Sequence, residues 1–372
     1  MRCPKSLRSA SIPVSSHICA WIQLECVPRF NALLIGSEYR DFFLSLHTSH
    51  SIPPSLLTGN GLILKGGKEA SHSNAVLHAL VAEAITSATE GKVSPALVSL
   101  VTSREDIAAL LSLDHDIDLV IPRGSGQLVA SIQASTRIPV MGHSEGLCHL
   151  YIDKAADPVK AARLAVDAKC DYPAACNATE TFLLHQDTVA DANGAGVGAL
   201  KALQAAAVIL YGGPHALATP TLAGMFAGEA NFRTEYGDLR ASVEVVADIA
   251  AAVQHINKNG SGHTECIVSE DPAATKLFLA AVDAACVFAN ASTRFADGFR
   301  FGLGAEVGIS TSRLHARGPV GVEGLTSTKW RLVSALDAHV ASAKDGSELP
   351  ACHTVGDFSQ GARVYTHKKL DL

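Results

Sequence analysis

Residues 117–132 read IDLVIPRGSGQLVASI, and this stretch decides the fold class. An apolar run ends at Ile121, a glycine-rich loop follows, and the apolar residues after the loop have helical spacing. The same alternation continues on both sides. Strands are predicted at 62–65, 96–101, 117–121, 138–141, 266–268 and 285–288, and helices at 105–113, 158–168, 191–207, 241–256 and 273–282. Alternation of this kind is typical of βαβ units, so the sequence predicts an α/β protein with parallel sheets.

A further helix is predicted after residue 70. Ser71 or Ser73 can cap its first turn. Val76, Leu80 and Ile85 belong to one apolar stripe, which we expect to face the core.

The composition of the chain argues against several classes of protein. It has 372 residues, a net charge of −6 and 5% aromatic residues. The charge argues against a basic nucleic-acid surface, and the low aromatic content argues against a stacking platform for single strands. Apolar runs fall short of the ~18–20 residues that span a membrane, so we expect no membrane segment. A chain of this length can form two or three domains.

Residues 1–57 differ from the rest of the chain. They are rich in serine, their first acidic residue is Glu25, and they show no clear periodicity. A transit peptide, which is rich in Arg and Ser and poor in acidic residues, is one interpretation. A poorly folded leader or a mis-assigned gene start is the other, and it is the one we favour.

Nine cysteines are scattered along the chain, and their number is odd. Because no two have CxxC spacing, the pattern favours a reduced, intracellular protein over a disulfide framework. Cys176 stands apart, since it follows small residues and precedes a predicted short helical turn. A helix N-terminus favours the thiolate, which is the form that acts as a nucleophile. A buried, inert cysteine is the alternative, and we expect this of Cys148, Cys170 and Cys286.

Two loops carry cationic residues after strands. In residues 61–68, GLILKGGK, a strand ends at Lys65 and two glycines precede Lys68. The stretch is not a P-loop, because Gly67 stands at the position of the lysine of that motif. Ligands of α/β proteins bind beyond the carboxyl ends of strands, so both lysines can meet anionic groups there. A solvated surface loop is the alternative.

The second loop, residues 122–126, also joins a predicted strand to a predicted helix. The free N–H groups of a helix N-terminus attract phosphate. Arg123 can add a charge-assisted contact to such a group.

Residues 143–149, HSEGLCH, bring together side chains that can bind metals. The HExxH motif is absent, and no PCxxC motif follows, so we expect no metal site. Glu145 lies 31 residues before Cys176, and folding can bring it near the nucleophile as a base or as an orienting group.

Together these motifs resemble the gamma-glutamyl phosphate reductase family, which also forms the C-terminal half of delta-1-pyrroline-5-carboxylate synthase. The resemblance covers about residues 58–340. It rests on residues 58–74 (TGNGLILKGGKEASHSN), 121–132, 138–153 (IPVMGHSEGLCHLYID), 170–180 (CDYPAACNATE), 233–246, 257–271 and 290–330 (NASTRFADGFRFGLGAEVGISTSRLHARGPVGVEGLTSTKW). The last segment is long and nearly uninterrupted, which makes the resemblance specific.

The resemblance implies an aldehyde dehydrogenase fold that is incomplete at the N-terminus, with a Rossmann-like cofactor domain and an α/β catalytic domain. Residues 58–150 would then be a partial NADP-binding domain and 151–330 the catalytic domain. Residues 331–372 would be a C-terminal tail that can serve as an oligomerisation arm, and 1–57 a leader outside the match.

The implied enzyme is a phosphate-dependent glutamate-5-semialdehyde dehydrogenase that uses NADP(H). It reduces L-glutamate 5-phosphate to L-glutamate 5-semialdehyde through a cysteine thioester, a step of proline biosynthesis. We expect a cytoplasmic homo-oligomer, with mitochondria or plastids as the alternative location, and neither nucleic acid nor membrane as a partner.

The resemblance also implies the residues of the site. Cys176 is the nucleophile, Asn177 carries the backbone N–H beside it, and Glu145 is a candidate for proton handling. Lys65 meets the adenosine ribose or its 2′-phosphate. Arg123, Gly124 and Ser125 form the loop over the cofactor phosphates. Glu235 contacts the nicotinamide ribose. Ser292, Thr293 and Arg294 form the wall of the substrate pocket. Arg294 can pair with the substrate α-carboxylate in a bidentate manner.

One departure from the family pattern leaves two further functions open. Related reductases carry an additional segment before Gly59–Gly61, and residues 1–57 contain nothing like it. Across the superfamily that segment supplies an asparagine amide to the oxyanion hole. A catalytically impaired remnant that associates with a full-length relative is therefore the alternative function. A general aldehyde dehydrogenase, which oxidises simple aldehydes without phosphate, is a third.

Overall fold

The computed structural model describes residues 21–28, 31–36, 58–67, 70–103, 105–124, 126–142, 145–304, 306–313 and 316–333. The strands in these ranges are β1 (Trp21–Pro28), β2 (Asn31–Gly36), β3 (Gly61–Lys65), β4 (Val98–Val101), β5 (Leu119–Arg123), β6 (Cys148–Ile152), β7 (Thr179–His185), β8 (Ile209–Gly212), β9 (Arg240–Val246), β10 (Thr264–Val268), β11 (Cys286–Ala289), β12 (Gly308–Ser310), β13 (Gly318–Val320) and β14 (Thr326–Val333). The helices are α1 (Ser71–Ala88), α2 (Glu105–Leu110), α3 (Gly126–Ser135), α4 (Pro158–Cys170), α5 (Ala195–Ala205), α6 (Pro214–Ala218), α7 (Ile249–Asn259) and α8 (Pro272–Ala281). None of these described helices has the length and apolar character needed to cross a membrane.

Contacts divide the chain into two compact units. In the first unit β1 pairs antiparallel with β14, with Trp21 opposite Val333 and Pro28 opposite Thr326. The second unit covers residues 30–325. Both parallel sheets and the residues around Cys176 therefore belong to this second unit.

The smaller parallel sheet has the strand order β4-β3-β2-β5. In its centre, Ile35 of β2 lies opposite Lys65 of β3 on one side and Pro122 of β5 on the other. Because neighbouring parallel strands run in the same direction, their carboxyl ends meet at one edge of the sheet. The two predicted cationic loops, which follow β3 and β5, therefore start at the same edge.

Strand β2 comes from the segment that the sequence analysis treats as a leader without regular structure. The structure differs, because Asn31–Gly36 pairs on both sides within the smaller sheet, and β1 also lies in residues 1–57. The apolar core of β2 is only the four residues 32–35. A continuous apolar run of this length fits a buried helix segment as well as a strand, and the pairing of β2 with β3 and β5 decides between them.

The larger parallel sheet has the strand order β11-β10-β6-β7-β9-β8. Strands β6, β7 and β10 are buried at every residue, as is typical of a parallel sheet with both faces covered. Helices α4 and α5 cover one face, where Ala165 and Leu200 join the core. Helices α7 and α8 cover the other, through Ile256 and Phe278.

Two predicted elements are wrong. The first half of the helix predicted at 241–256 is strand β9, and α7 begins only after Asp248, whose side chain accepts the N–H of Ala251 at 2.8 Å. Val243 and Val246 have helical spacing, but β-branched residues in a buried run fit a strand equally well. The strand predicted at 138–141 is reduced to a single bridge between Val120 and Val140.

Helix α1 packs through only part of the predicted stripe, because Ile85 is in the core whereas Val76 and Leu80 are not. Val76 and Leu80 are 61% and 56% exposed, whereas Asn74 and Ile85 are buried. Between these two, His78 Nε2 lies 2.9 Å from the carbonyl oxygen of Val98. The helix therefore turns a partly polar face towards the sheet, and the predicted cap is replaced by Ala70 without a side-chain hydrogen bond.

Candidate active site

Cys176 lies in a turn between α4 and β7. The N–H of Ala175 donates to the carbonyl oxygen of Tyr172 (3.0 Å), and that of Ala178 donates to Ala175 (2.9 Å). The helix N-terminus predicted at this cysteine is wrong, because these two turns lead directly into a strand; Pro173 and small residues suit turns as well as helices. The half-buried Cys176 packs against a small apolar cluster: Cys286, Ala296 and Ile309.

The segment before β6 packs directly on the Cys176 turn. A Cβ on Gly146 would lie 2.1 Å from the carbonyl oxygen of Cys176, so glycine is required at this position. The thiol of Cys148 donates to the same oxygen at 3.3 Å. Burial raises the pKa of the Cys148 thiol well above its usual value. Cys148 is thus a buried thiol that supports the turn, which agrees with the sequence prediction for this residue.

Glu145 lies next to Gly146, so the fold brings its segment beside the Cys176 turn. Its carboxylate forms an ion pair with Arg233, with 3.5 Å between Oε2 and Nη2. Arg233 Nη1 also donates to two carbonyl oxygens, at 2.9 and 3.1 Å, which belong to Asn259 and Gly260. Sequence reasoning did not single out Arg233, since nothing in its local pattern distinguishes it from a solvated arginine.

Arg123 lies within electrostatic range of Cys176. Burial lowers the pKa of the Arg123 guanidinium from its usual value, while Cys176 and Glu306 act in the opposite direction. The guanidinium rests on Gly308, where a Cβ would lie 2.2 Å from Nη1 and where φ is +140°. The residue predicted to contact cofactor phosphates is therefore also a cation within electrostatic range of the candidate nucleophile.

The carboxyl edge of the smaller sheet gathers the residues predicted to bind anions. Lys65 ends β3 and is buried, Arg123 ends β5, and β2 lies between them. Gly124 follows with φ of +153°, and α3 begins at Gly126. Two cations and a helix N-terminus at one sheet edge fit a ligand that carries phosphate groups. Lys68 and Ser125 lie outside the described residues.

Ser292 and Thr293, two residues of the predicted pocket wall, stabilise the turn that follows β11. Ser292 is buried and its hydroxyl accepts the N–H of Arg294 at 3.3 Å. Thr293 is fully buried, and its hydroxyl lies 3.1 Å from that of Thr179, the first residue of β7. Thr293 therefore fixes the wall against the strand that follows Cys176, and Ser292 stabilises the turn itself.

Arg294 and Asn177 are joined to each other beside Cys176. Arg294 Nη1 donates to Asn177 Oδ1, and Arg294 Nε donates to Asp171 Oδ2 at 3.1 Å. The amide of Asn177 donates in turn to the carbonyl oxygen of Ala296 at 2.8 Å. The side chain of Asn177 thus binds the segment of Arg294 and Ala296, which contains part of the predicted pocket wall. Its backbone N–H has no hydrogen-bond acceptor within the described residues.

Two buried charges that the sequence reasoning missed flank the Cys176 turn. Lys169 Nζ lies 2.8 Å from Glu180 Oε2, and both side chains are buried. Burial raises the pKa of Glu180 to about 7, and Lys169 opposes that effect. The other oxygen of Glu180 accepts the N–H of Gly237 at 3.2 Å. That hydrogen bond reaches the loop of Glu235, whose side chain is exposed.

Within the described residues, no group of three or more His, Cys, Asp or Glu side chains is arranged to hold a metal ion. His143, part of the motif with metal-binding side chains, lies outside those residues.

The family model of the aldehyde dehydrogenases matches residues 43–213. This range includes the Cys176 turn and most of the smaller sheet. The two parallel sheets and the cysteine between them therefore define an aldehyde dehydrogenase-like α/β protein, and the predicted fold class is confirmed. Members of this family use NAD or NADP.

Three comparisons identify the family more closely. The delta-1-pyrroline-5-carboxylate synthase of Solanum lycopersicum is 57% identical over 273 residues, which are 73% of this chain and 37% of the synthase. A gamma-glutamyl phosphate reductase of Synechococcus is 49% identical over 319 residues, 86% of this chain and 68% of that protein. The crystal structure of the gamma-glutamyl phosphate reductase of Thermotoga maritima has a TM-score of 0.76 at 31% identity, covering 88% of this chain and 78% of that one.

The chain belongs to the gamma-glutamyl phosphate reductase family, and the resemblance seen in the sequence is confirmed. It spans less than half the length of the plant synthases that it matches.

Proposed function

We propose that the chain is an NADPH-dependent reductase that converts L-glutamate 5-phosphate to L-glutamate 5-semialdehyde in proline biosynthesis. The observation that carries the proposal is the half-buried Cys176 on a turn beside Arg123 and the backbone N–H of Asn177. These groups suit attack on an acyl phosphate. The 49% identity to a Synechococcus protein named gamma-glutamyl phosphate reductase supports this substrate.

Cys176 would form the covalent intermediate. Its thiolate sulfur forms a bond to the carbonyl carbon of the acyl phosphate, and the bond from that carbon to the phosphate oxygen breaks, which leaves a thioester. The N–H of Asn177 can donate to the carbonyl oxygen as negative charge develops there. One donor of this kind is worth about 10²–10³ in rate. The Arg123 guanidinium lies within electrostatic range of the attacking sulfur.

The carboxyl edge of the smaller sheet would hold the cofactor. Residues 58–150 would then be a partial NADP-binding domain and 151–330 the catalytic domain. Lys65 would meet the adenosine 2′-phosphate, a contact that favours NADPH over NADH. Gly124 and the N-terminus of α3 would contact the phosphates. When bound, the nicotinamide group supplies the hydride that reduces the thioester. The C–S bond of the resulting hemithioacetal then breaks, which releases the aldehyde and restores the Cys176 thiolate.

Arg294 would recognise the α-carboxylate of the substrate. Asp171 and Asn177 each accept from one of its nitrogens, Nε and Nη1. A guanidinium has five N–H donors in a planar fork, so further donors are available to a carboxylate. The contacts to Asp171 and Asn177 hold the guanidinium in place next to the Cys176 turn.

Glu145 would move protons rather than activate water. In the reductive direction no water enters the reaction, so a deacylating base is not required. The ion pair with Arg233 keeps the Glu145 carboxylate near the Cys176 turn, where it can accept the proton of the hemithioacetal hydroxyl as the C–S bond breaks. Glu235, on the exposed loop, would contact the nicotinamide ribose.

The proposal includes a homo-oligomer in the cytoplasm, as the family resemblance implies. Light scattering of the purified protein measures its mass in solution. Fluorescence microscopy of a tagged full chain reports its location.

An assay of the reverse reaction tests the proposal. The chain should oxidise L-glutamate 5-semialdehyde with NADP⁺ in a manner that requires inorganic phosphate. Cys176→Ser should lower the rate by about 10³-fold or more, because serine is a much poorer nucleophile without a base. Cys170→Ser, a matched change at the end of α4, should keep the parental rate.

An inactive parent chain would refute the proposed activity, and equal rates in the parent and in Cys176→Ser would refute the nucleophile. Oxidation of simple aldehydes without phosphate would instead indicate a general aldehyde dehydrogenase.

A further inference from the structure

A buried ion pair closes the base of the turn that carries Cys176. Lys169 lies at the end of α4 and Glu180 at the start of β7, so residues 171–178 form a loop between them. Lys169 Nζ is 2.8 Å from Glu180 Oε2, and the side chains are 0% and 2% exposed. Removal of two charges from water costs free energy that their attraction often fails to recover, so a buried pair is weak evidence for stability. Another role is needed to explain this pair.

The second oxygen of Glu180 reaches a neighbouring loop. Oε1 accepts the backbone N–H of Gly237 at 3.2 Å. Gly237 has φ of +61°, a conformation that glycine adopts at little cost. Its loop leads into β9, and β9 is the direct neighbour of β7, with Ser242 opposite Thr181. The Gly237 loop and the Cys176 turn therefore enter the sheet side by side.

Tyr236 anchors the same loop. Its hydroxyl lies 3.1 Å from the hydroxyl of Ser242, and its ring stacks on Tyr211 with 5.6 Å between ring centres. Glu235, directly before these anchors, is exposed. The position of Glu235 is therefore set by the two residues that follow it, and Glu180 binds one of them.

We propose that Glu180, held by Lys169, is a positioning residue that fixes the Glu235 loop relative to the Cys176 turn. The carboxylate contacts both segments at once: it is part of the strand that leaves the turn, and it binds the loop through Gly237. The inference rests on the proposed function in one respect, since it takes the ligand of the Glu235 loop to be the nicotinamide cofactor. Loss of the Gly237 hydrogen bond should weaken cofactor binding and leave the reactivity of Cys176 intact.

Two matched double variants test this role. Lys169→Met with Glu180→Gln removes both charges but keeps an oxygen that can accept from Gly237. Lys169→Met with Glu180→Leu removes both charges and the acceptor. The dissociation constant of NADPH is measured by calorimetry. The cofactor-independent cleavage of p-nitrophenyl acetate, followed as the p-nitrophenol released when the acetyl group passes to Cys176 and checked against Cys176→Ser, reports whether the cysteine turn is intact.

The glutamine variant should bind NADPH within about threefold of the parent, and the leucine variant about tenfold more weakly, a difference typical of one lost hydrogen bond. Both should keep the cleavage rate. A purely structural pair would make the two variants equal in NADPH affinity, and that result would overturn the inference. A parent chain that cleaves the ester but binds no NADPH would refute the proposed cofactor, and with it the ligand assumed for the Glu235 loop.

Discussion

Replacement of Gly146 with alanine should displace the nucleophile without removing any reacting group. The added Cβ would meet backbone atoms of Cys176, the nearest 2.1 Å away, whereas ordinary van der Waals contact begins at 3.4 Å. The Cys176 turn or the start of β6 must therefore move by about 1 Å, and a shift of that size at a reacting centre can cost about 10²-fold in rate. This corresponds to ~2.7 kcal/mol of activation free energy.

Two measurements follow the displacement: kcat for phosphate-dependent oxidation of the semialdehyde, and the rate at which iodoacetamide alkylates Cys176. Gly198→Ala in α5 is the matched control, since nothing lies within 4 Å of a Cβ at that position. Alanine there should leave both rates unchanged and stabilise the helix by up to about 1 kcal/mol.

The two variants are compared at a temperature at which circular dichroism shows both to be folded. A kcat of Gly146→Ala within threefold of that of Gly198→Ala would refute the reasoning, because the close approach of Gly146 would then not decide where the sulfur lies. A fall in kcat with an unchanged alkylation rate would assign the loss to another part of the site.

Two further predictions concern recognition and stability. Arg294→Lys should raise the KM for glutamate semialdehyde by about 10- to 100-fold, since the planar fork that can pair with the α-carboxylate is lost. The KM for NADP⁺ should not change; steady-state kinetics measures both, and an unchanged semialdehyde KM would contradict the assignment. Burial lowers the pKa of His255 to about 3, and His149 and Lys258 add to the effect. His255 therefore binds a proton near pH 6.5 in the unfolded chain but not in the folded chain. The free energy of unfolding should fall as the pH falls below that value. From pH 7.5 to 5.5 this amounts to about 1.4 kcal/mol. Urea unfolding of the parent and of His255→Phe should show this loss in the parent alone, and the same loss in both would contradict the prediction.

The sequence predicts those parts of the fold in which local pattern and burial agree. The strand ending at Arg123 is a short buried run followed by glycines, and the structure has β5 there. In β9, by contrast, Val243 and Val246 satisfy the spacing of a helix and of a buried strand, and only the neighbouring strands decide between them. Pairing with β3 and β5 likewise determines that residues 31–36 form strand β2, because their short apolar run fits a helix segment as well as a strand.

The residues of the candidate site also differ in whether their local sequence indicates them. Cys176 and Arg123 are visible in the sequence because each follows a recognisable local context, a small-residue stretch and a glycine loop. The local sequence does not indicate Lys169 and Glu180, because their role depends on burial and on Gly237, which is far away in the sequence. The local sequence does not indicate Arg233 either, because its partner Glu145 lies on another part of the chain.

The direction of the strands in the two sheets explains why only half of the site lies where ligand sites of α/β proteins are expected. Arg123 lies at the carboxyl end of β5, where α/β proteins usually bind ligands. Cys176, Gly146 and Gly237 precede β7, β6 and β9, so they lie at the amino edge of the larger sheet. The site therefore joins the carboxyl edge of one sheet to the amino edge of the other. Changes at the first edge should alter cofactor affinity, and changes in the Cys176 turn at the second edge should alter attack by the cysteine.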